Sequence, residues 1–191
     1  MKLFGSYTSP YVRHCRIVLA QTGQDCRFVE TDYEQSAELS PARRVPFLYD
    51  DKLMLTDSAS ILRYLREKAG QPFFPDIRDY DLYLLVNTAM GSAVNLFLLE
   101  RDGITPADCG YLVRQRGRVE DTLSFLDRQI GDGVPDANSD GMVRLGCFLS
   151  WALFRERISL DDHAALARFQ RQFESDPQIA ATHPSRVGST R

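Results

Sequence analysis

The N-terminal stretch carries two hydrophobic patterns joined by a polar interval. Leu3 and Phe4 lie in a short apolar strand, Lys2 to Gly5, which gives way to Ser6-Tyr7-Thr8-Ser9 and then Pro10. Beyond the proline the period becomes helical: Val12, Cys15, Leu19 and Thr22 share one stripe, Val18 lies beside it, and Gly23 supplies a stop. Proline is best tolerated at the first helical position, so Pro10 fixes the helix start and makes Ser9 its N-cap. A hydroxyl there sits among unpaired N–H groups at the positive end of the helix dipole. Such a group can cap a helix, or it can hold an anion. Both readings stay open on this stretch alone.

The pattern continues with a second strand over Cys26 to Thr31. Glu34 to Arg44 has no clean period and contains Pro41, which predicts an irregular turn or one short helix. Val45 to Tyr49 and Leu53 to Leu55 read as two strands joined by the tight turn Asp50-Asp51-Lys52. Asp57-Ser58 opens a helix whose stripe is Ile61, Leu62 and Leu65, with Gly70 past its end. The order is β-α-β-α-β-β-α, one mixed sheet with helices. Gly70 to Asp76 breaks the periodicity and serves as a domain linker, so the expected division is 1–75 and 76–191.

Everything beyond the linker reads as helical. One long pattern runs from Arg78 to about Asp102. A second starts at Thr105-Pro106 and runs to Ile130. A turn-rich connection over 132–141 leads to a third, Met142 to Arg155, apolar on most sides and holding Trp151, which places it at the centre of its domain. Asp161-Asp162 is expected to cap a last helix through Leu166, Phe169 and Phe173, with a poorly structured tail after Pro177.

Composition narrows the classes. Apolar residues make up 43% and charged residues 26% of the 191, the balance of a globular protein with a sizeable core. A formal charge of −3 gives no pull toward nucleic acid or anionic membrane. Arg114, Arg116 and Arg118 alternate, and alternate positions point to different sides of a helix, so they make no basic face. No run reaches the ~18 apolar residues of a spanning helix, and no signal-peptide core is present. A cytoplasmic location is expected. Four cysteines, Cys15, Cys26, Cys109 and Cys147, have no paired spacing, which argues against a metal site or redox dithiol; Cys15 and Cys147 read as buried thiols.

Strand, hydroxyl or thiol, proline, aromatic, helix is the active-site corner of the thioredoxin-like domain. Ser9-Pro10-Tyr11-Val12 stands where glutaredoxins carry Cys-Pro-aromatic-Cys, and in this form it resembles the serine-type cytosolic glutathione transferases, small bacterial members above all. The resemblance covers essentially the whole chain: a thioredoxin-like domain followed by an all-helical one. Val45-Pro46 matches the family's Val-Pro, whose proline is cis and whose preceding residue pairs its backbone with extended glutathione. Asp57-Ser58 matches the acidic residue and serine that bind the γ-glutamyl end, and Arg44 stands where a lysine commonly meets the glycyl carboxylate. The resemblance thus implies glutathione as co-substrate, Ser9 as the group that stabilises its thiolate, and Arg44, Val45, Asp57 and Ser58 as binding residues. Tyr7, Thr8 and Ser6 are rivals to Ser9.

It further implies transfer to a small electrophile (a detoxification chemistry), a pocket for it near Asn87, Gly91 and Asn95, and a homodimer with contacts around Leu82 and Tyr83. A glutathione-dependent isomerase would share the first site. A non-catalytic protein on the same fold, like the stringent starvation proteins that bind a protein partner, is the reading from a different class. Two departures stand out: Arg43 where the family has glycine, and Met142 where it has the aspartate of a Ser/Thr-x-x-Asp capping box, of which Ser139 alone remains.

Overall fold

The computed structural model describes residues 1–131 and 138–186, in two compact units: Met1–Pro75 with the segment that begins at Ser175, and Asp76–Glu174.

The first unit runs β1 (Lys2–Gly5), α1 (Pro10–Thr22), β2 (Arg27–Glu30), α2 (Tyr33–Leu39), β3 (Phe47–Asp50), β4 (Leu53–Leu55) and α3 (Ser58–Lys68). Its sheet has the order β2-β1-β3-β4; β1 is parallel to β2, and the other pairings are antiparallel. This is the expected thioredoxin-like order. The irregular interval resolves as α2, started by a full capping box in which Asp32 and Gln35 satisfy each other's backbone N–H groups. Helices α1 and α3 pack together, with Val12, Cys15, Val18, Ile61, Leu62 and Leu65 all fully buried. Full burial of an aliphatic side chain contributes about 1.5–3 kcal/mol, so this seam holds α1 on the sheet. Ile17 is buried too, whereas Leu19 and Thr22 at the end of the expected stripe are only half-buried.

The reason is a second cover on α1. Past Ser175 the chain forms a short helix, α8 (Pro177–Ala180), which packs against α1, its N-terminus capped by Asp176. Arg13 is only 2% exposed; its Nε donates to Thr182 Oγ1 at 2.9 Å and its Nη2 to the Ile179 carbonyl at 3.1 Å. A buried guanidinium must be hydrogen-bonded, and these oxygens do it. The segment expected to be poorly structured is therefore ordered through the short 3-10 turn Pro184–Arg186. Arg13 and His14 are both buried.

The second unit holds α4 (Ile77–Arg101), α5 (Gly110–Gly131), α6 (Asp140–Phe154) and α7 (Ala164–Ser175). Helix α6 is buried at every position from Asp140 to Ala152, as its all-round apolarity demands, and α4 packs against both α5 and α6. Trp151 meets Phe97 edge-on with ring centroids 5.8 Å apart. Helix α4 corrects one reading: its run from Leu82 to Leu99 carries no charge, and the helix is long and apolar enough to cross a bilayer by length and composition alone. Tyr83 corrects another. It is fully buried, with its hydroxyl accepting from Arg144 Nη2 at 2.7 Å, so it offers nothing to a subunit contact, whereas its neighbour Leu84 is exposed.

Three helix starts differ from expectation, each because a side chain captures an N–H group. Asp108 takes the Thr105 amide at 2.6 Å and closes a separate turn, so α5 begins at Gly110 and not at Thr105. Asp161 bonds Ser159 locally, and the free Leu166 amide of α7 is taken instead by Asp127 of α5 at 2.9 Å. At α6 the aspartate that Met142 displaces is supplied from another helix. Asp79 of α4 accepts from Ser139 Oγ at 2.6 Å and from the Gly141 amide at 3.1 Å, while Ser139 Oγ accepts from the Met142 amide at 3.3 Å. The approach is so close that a Cβ on Gly141 would lie 2.4 Å from the Asp79 carboxylate. The 132–137 part of the expected connection lies outside the described residues.

Burial pushes the Asp79 carboxyl above its usual range, against the lowering effect of its two bonds. A raised folded value means that its contribution to stability is complete below about pH 4 and fades as pH climbs through that value. Asp79→Ala is expected to cost about 1–2 kcal/mol at neutral pH in urea unfolding, the loss of a cap. Asp79→Asn keeps an acceptor without the charge, so it should remain near the parental stability and flatten the pH profile. Met142→Asp, which restores the family's pattern, should destabilise, because Met142 is fully buried and a carboxylate there would be desolvated.

Candidate functional site

Three chain ends meet at one edge of the sheet. Strand β1 leaves it at Gly5. Strand β3 enters beside it, Phe47 opposite Phe4, and β4 leaves at Leu55, opposite Leu48. Ser6–Ser9 follow Gly5, Val45 lies two residues before Phe47 and Asp57 two after Leu55, so the topology brings these candidates to the same edge, whereas Asn87, Gly91 and Asn95 lie on α4 in the second unit.

Ser9 is the N-cap of α1, in extended conformation (φ −73°, ψ 126°), with Pro10 beginning the helix. Its Oγ accepts from the Val12 amide over a long 3.4 Å, and among the described residues its own hydrogen has no acceptor. Among the rivals, one hydroxyl hydrogen of the Ser6–Thr8 pair is committed, and Tyr7 is held through its ring. Ser6 Oγ and Thr8 Oγ1 share a hydrogen bond at 3.1 Å. The Tyr7 ring lies against Phe28 of β2, centroids 4.6 Å apart, with the Arg16 guanidinium 4.8 Å above it. The helix itself is pressed onto β1: a Cβ on Gly5 would stand 2.5 Å from a methyl of the fully buried Val12, so only glycine lets the strand end come this near.

The Val45–Pro46 peptide is cis. Sequence physics alone does not give this, since only about 5–6% of such bonds are cis in folded proteins. Among the described residues neither backbone group of Val45 is used by the chain's own backbone. Just before it, Arg43 has φ 51°, the left-handed region that glycine enters freely and other residues enter at a cost of about 1–2 kcal/mol. The loop thus keeps the turn that glycine serves in the family pattern despite its arginine, closed by the Arg43 amide on the Ser40 carbonyl at 2.9 Å.

Asp57 is the N-cap of α3. One carboxylate oxygen accepts from the Ala59 amide at 2.8 Å, and the other pairs with Arg44 Nη2, also at 2.8 Å. Both side chains are half-exposed or more, so the pair stabilises little by itself and exchanges readily with a ligand. Ser58, at the first helical position, is buried. Opposite charges so far apart in sequence leave no spacing signal, and the pairing of Arg44 with Asp57 was invisible there.

Residues 3–73 match the sequence profile of the glutathione S-transferase N-terminal domain. The first unit is thus similar to that domain, and the match spans 71 of the 191 residues. Relatives of the chain include a glutathione S-transferase of Triticum aestivum, 25% identical over 95% of this chain and 85% of the relative. An uncharacterised transferase-like protein of Escherichia coli K12, YibF, is 26% identical over 98% of this chain and all of its own. Among solved structures, a glutathione transferase family member from Pseudomonas fluorescens Pf-5 is 26% identical, covers 96% of this chain and 99% of its own, and superposes with a TM-score of 0.78; it holds S-(propanoic acid)-glutathione.

Arg43→Gly is expected to raise stability by about 0.5–1 kcal/mol, the relief of the left-handed backbone less the added freedom of the unfolded chain. Arg43→Ala removes the same side chain without that relief and should give no gain. Chemical denaturation of both variants checks the difference.

Proposed function

We propose that the first unit binds glutathione at this sheet edge and that the Ser9 hydroxyl donates to the bound thiolate, readying it for attack on a small electrophile. The observation that carries the reading is the Ser9 hydrogen without an acceptor, at a proline-started helix N-terminus beside the cis Val45–Pro46 peptide. A free thiol has a pKa near 8.5, and lowering it by about two units requires roughly 2.7 kcal/mol of preference for the thiolate. The helix terminus supplies about 0.3–1 kcal/mol, up to ~2 in a partly buried site. One hydrogen bond to a charged acceptor adds about 1.5–3 kcal/mol. The dipole alone falls short, so a donor is needed, and Ser9 has one to give.

The rest of the tripeptide fits the neighbours. In this reading the Val45 amide and carbonyl pair with the extended cysteinyl backbone, as an added strand would. The α-carboxylate of the γ-glutamyl end takes Ser58 and the first amides of α3. Its ammonium takes Asp57, sharing that carboxylate with Arg44 or releasing it. A released Arg44 is free to meet the glycyl carboxylate. The protein acts as a homodimer in the cytoplasm, with no nucleic acid among its partners.

Titration calorimetry with glutathione tests the binding half: a Kd between about 1 μM and 1 mM is expected, weakened about tenfold or more in Asp57→Ala. Ser9→Ala should bind within a few-fold of the parent yet conjugate an activated aryl chloride about 10–100-fold more slowly. Absence of any heat with glutathione would favour the non-catalytic, partner-binding reading instead.

A further inference from the structure

A second site lies wholly within the helical unit. Helices α4 and α5 and the segment between α6 and α7 enclose a cleft of about 520 Å³, in the size range of small-molecule sites. Its floor is apolar, built by Leu96 of α4, Val119 and Leu123 of α5, and Ile158. Its rim carries three carboxylates, Glu100, Glu120 and Glu156, and two guanidinium groups, Arg116 and Arg157.

The pairing of those charges decides what the cleft can take. Arg157 is bound to Glu100 and also donates from Nε to the Arg155 carbonyl at 2.6 Å. Arg116 pairs with Glu120 at 3.7 Å on the same face of α5. Three carboxylates against two guanidinium groups, each already beside a carboxylate, leave the rim net negative with His163 neutral, which favours a cation over an anion. Glu156 is different. Among the described residues no ion pair or hydrogen bond reaches its carboxylate. An incoming cation meets an anion with no competing partner.

Glu156 also holds its place at a cost. It follows the end of α6 with φ 56°, the left-handed conformation in which helices usually place glycine. The turn is closed by the Glu156 amide on the Leu153 carbonyl at 3.0 Å and the Arg157 amide on the Ala152 carbonyl at 2.7 Å. A non-glycine residue there is strained, and strain of this kind gathers at functional positions.

We propose that this cleft binds a small amphipathic amine, its ammonium paired with Glu156 and its apolar body on Leu96, Val119, Leu123 and Ile158. The occupant is a primary amine on a small aromatic or aliphatic body, which a cleft of this size admits. The site shares no residue with the sheet edge that carries Ser9, so it stands whether or not glutathione binds there.

Calorimetry on the full chain with phenylbutylamine, phenylbutanol and phenylbutyrate tests this. The expected result is binding of the amine at least tenfold tighter than the alcohol, with no heat from the acid. Glu156→Gln should bring the amine down to the alcohol's level, and Glu156→Gly should do the same while raising the unfolding midpoint. The proposal is overturned if the amine and alcohol bind alike, if Glu156→Gln binds the amine as the parent does, or if the amine gives no heat at millimolar concentration.

Discussion

Every helix start leaves N–H groups without partners, and this chain's architecture depends on how each set is met. At α3 the Asp57 carboxylate answers the Ala59 amide, and at α6 Ser139 and Asp79 answer two amides between them. At α7 Asp127 reaches across from α5. The start of α1 is the exception in kind. Ser9 gives only a long bond to the Val12 amide and keeps its own hydrogen, which leaves both a positive helix end and a hydroxyl donor facing the same space. The place is held from behind by Gly5, which lets α1 press on β1, and by the buried Arg13, which ties α1 to the C-terminal segment. A donor of this kind has value only if it is fixed, and these contacts fix it.

Much of that was legible in the sequence because the signals are local. Pro10 after a hydroxyl marks a helix start, the shift from strand to helical period marks the corner, and the burial of α6 follows from an apolar run with no polar face. Arg43 was legible only as a departure from the family's glycine; that the arginine itself takes the left-handed conformation was not. What escaped was distant. Asp79 stands far from Ser139 in sequence, Asp127 far from Leu166, and Arg44 pairs with an aspartate two elements away. No periodicity carries such information.

The C-terminal segment failed for a different reason. A stripe analysis assigns a helix one buried face, and α1 has two. Arg13 reads as solvated on that assumption, yet it is the residue that gives the tail its place. Tyr83, placed at a subunit contact by the resemblance alone, is buried with its hydroxyl on the buried Arg144. In both cases the partner is another buried polar group, which local pattern does not show.

Fold alone does not fix chemistry, so the account rests on one group and one charge. The direct measurement is the ultraviolet thiolate titration of glutathione bound to the protein, in the parent and in Ser9→Ala. The account predicts a bound thiol pKa at least about one unit below the free value near 8.5 in the parent, and a return most of the way toward it in the variant. An identical bound pKa in the two proteins would contradict it.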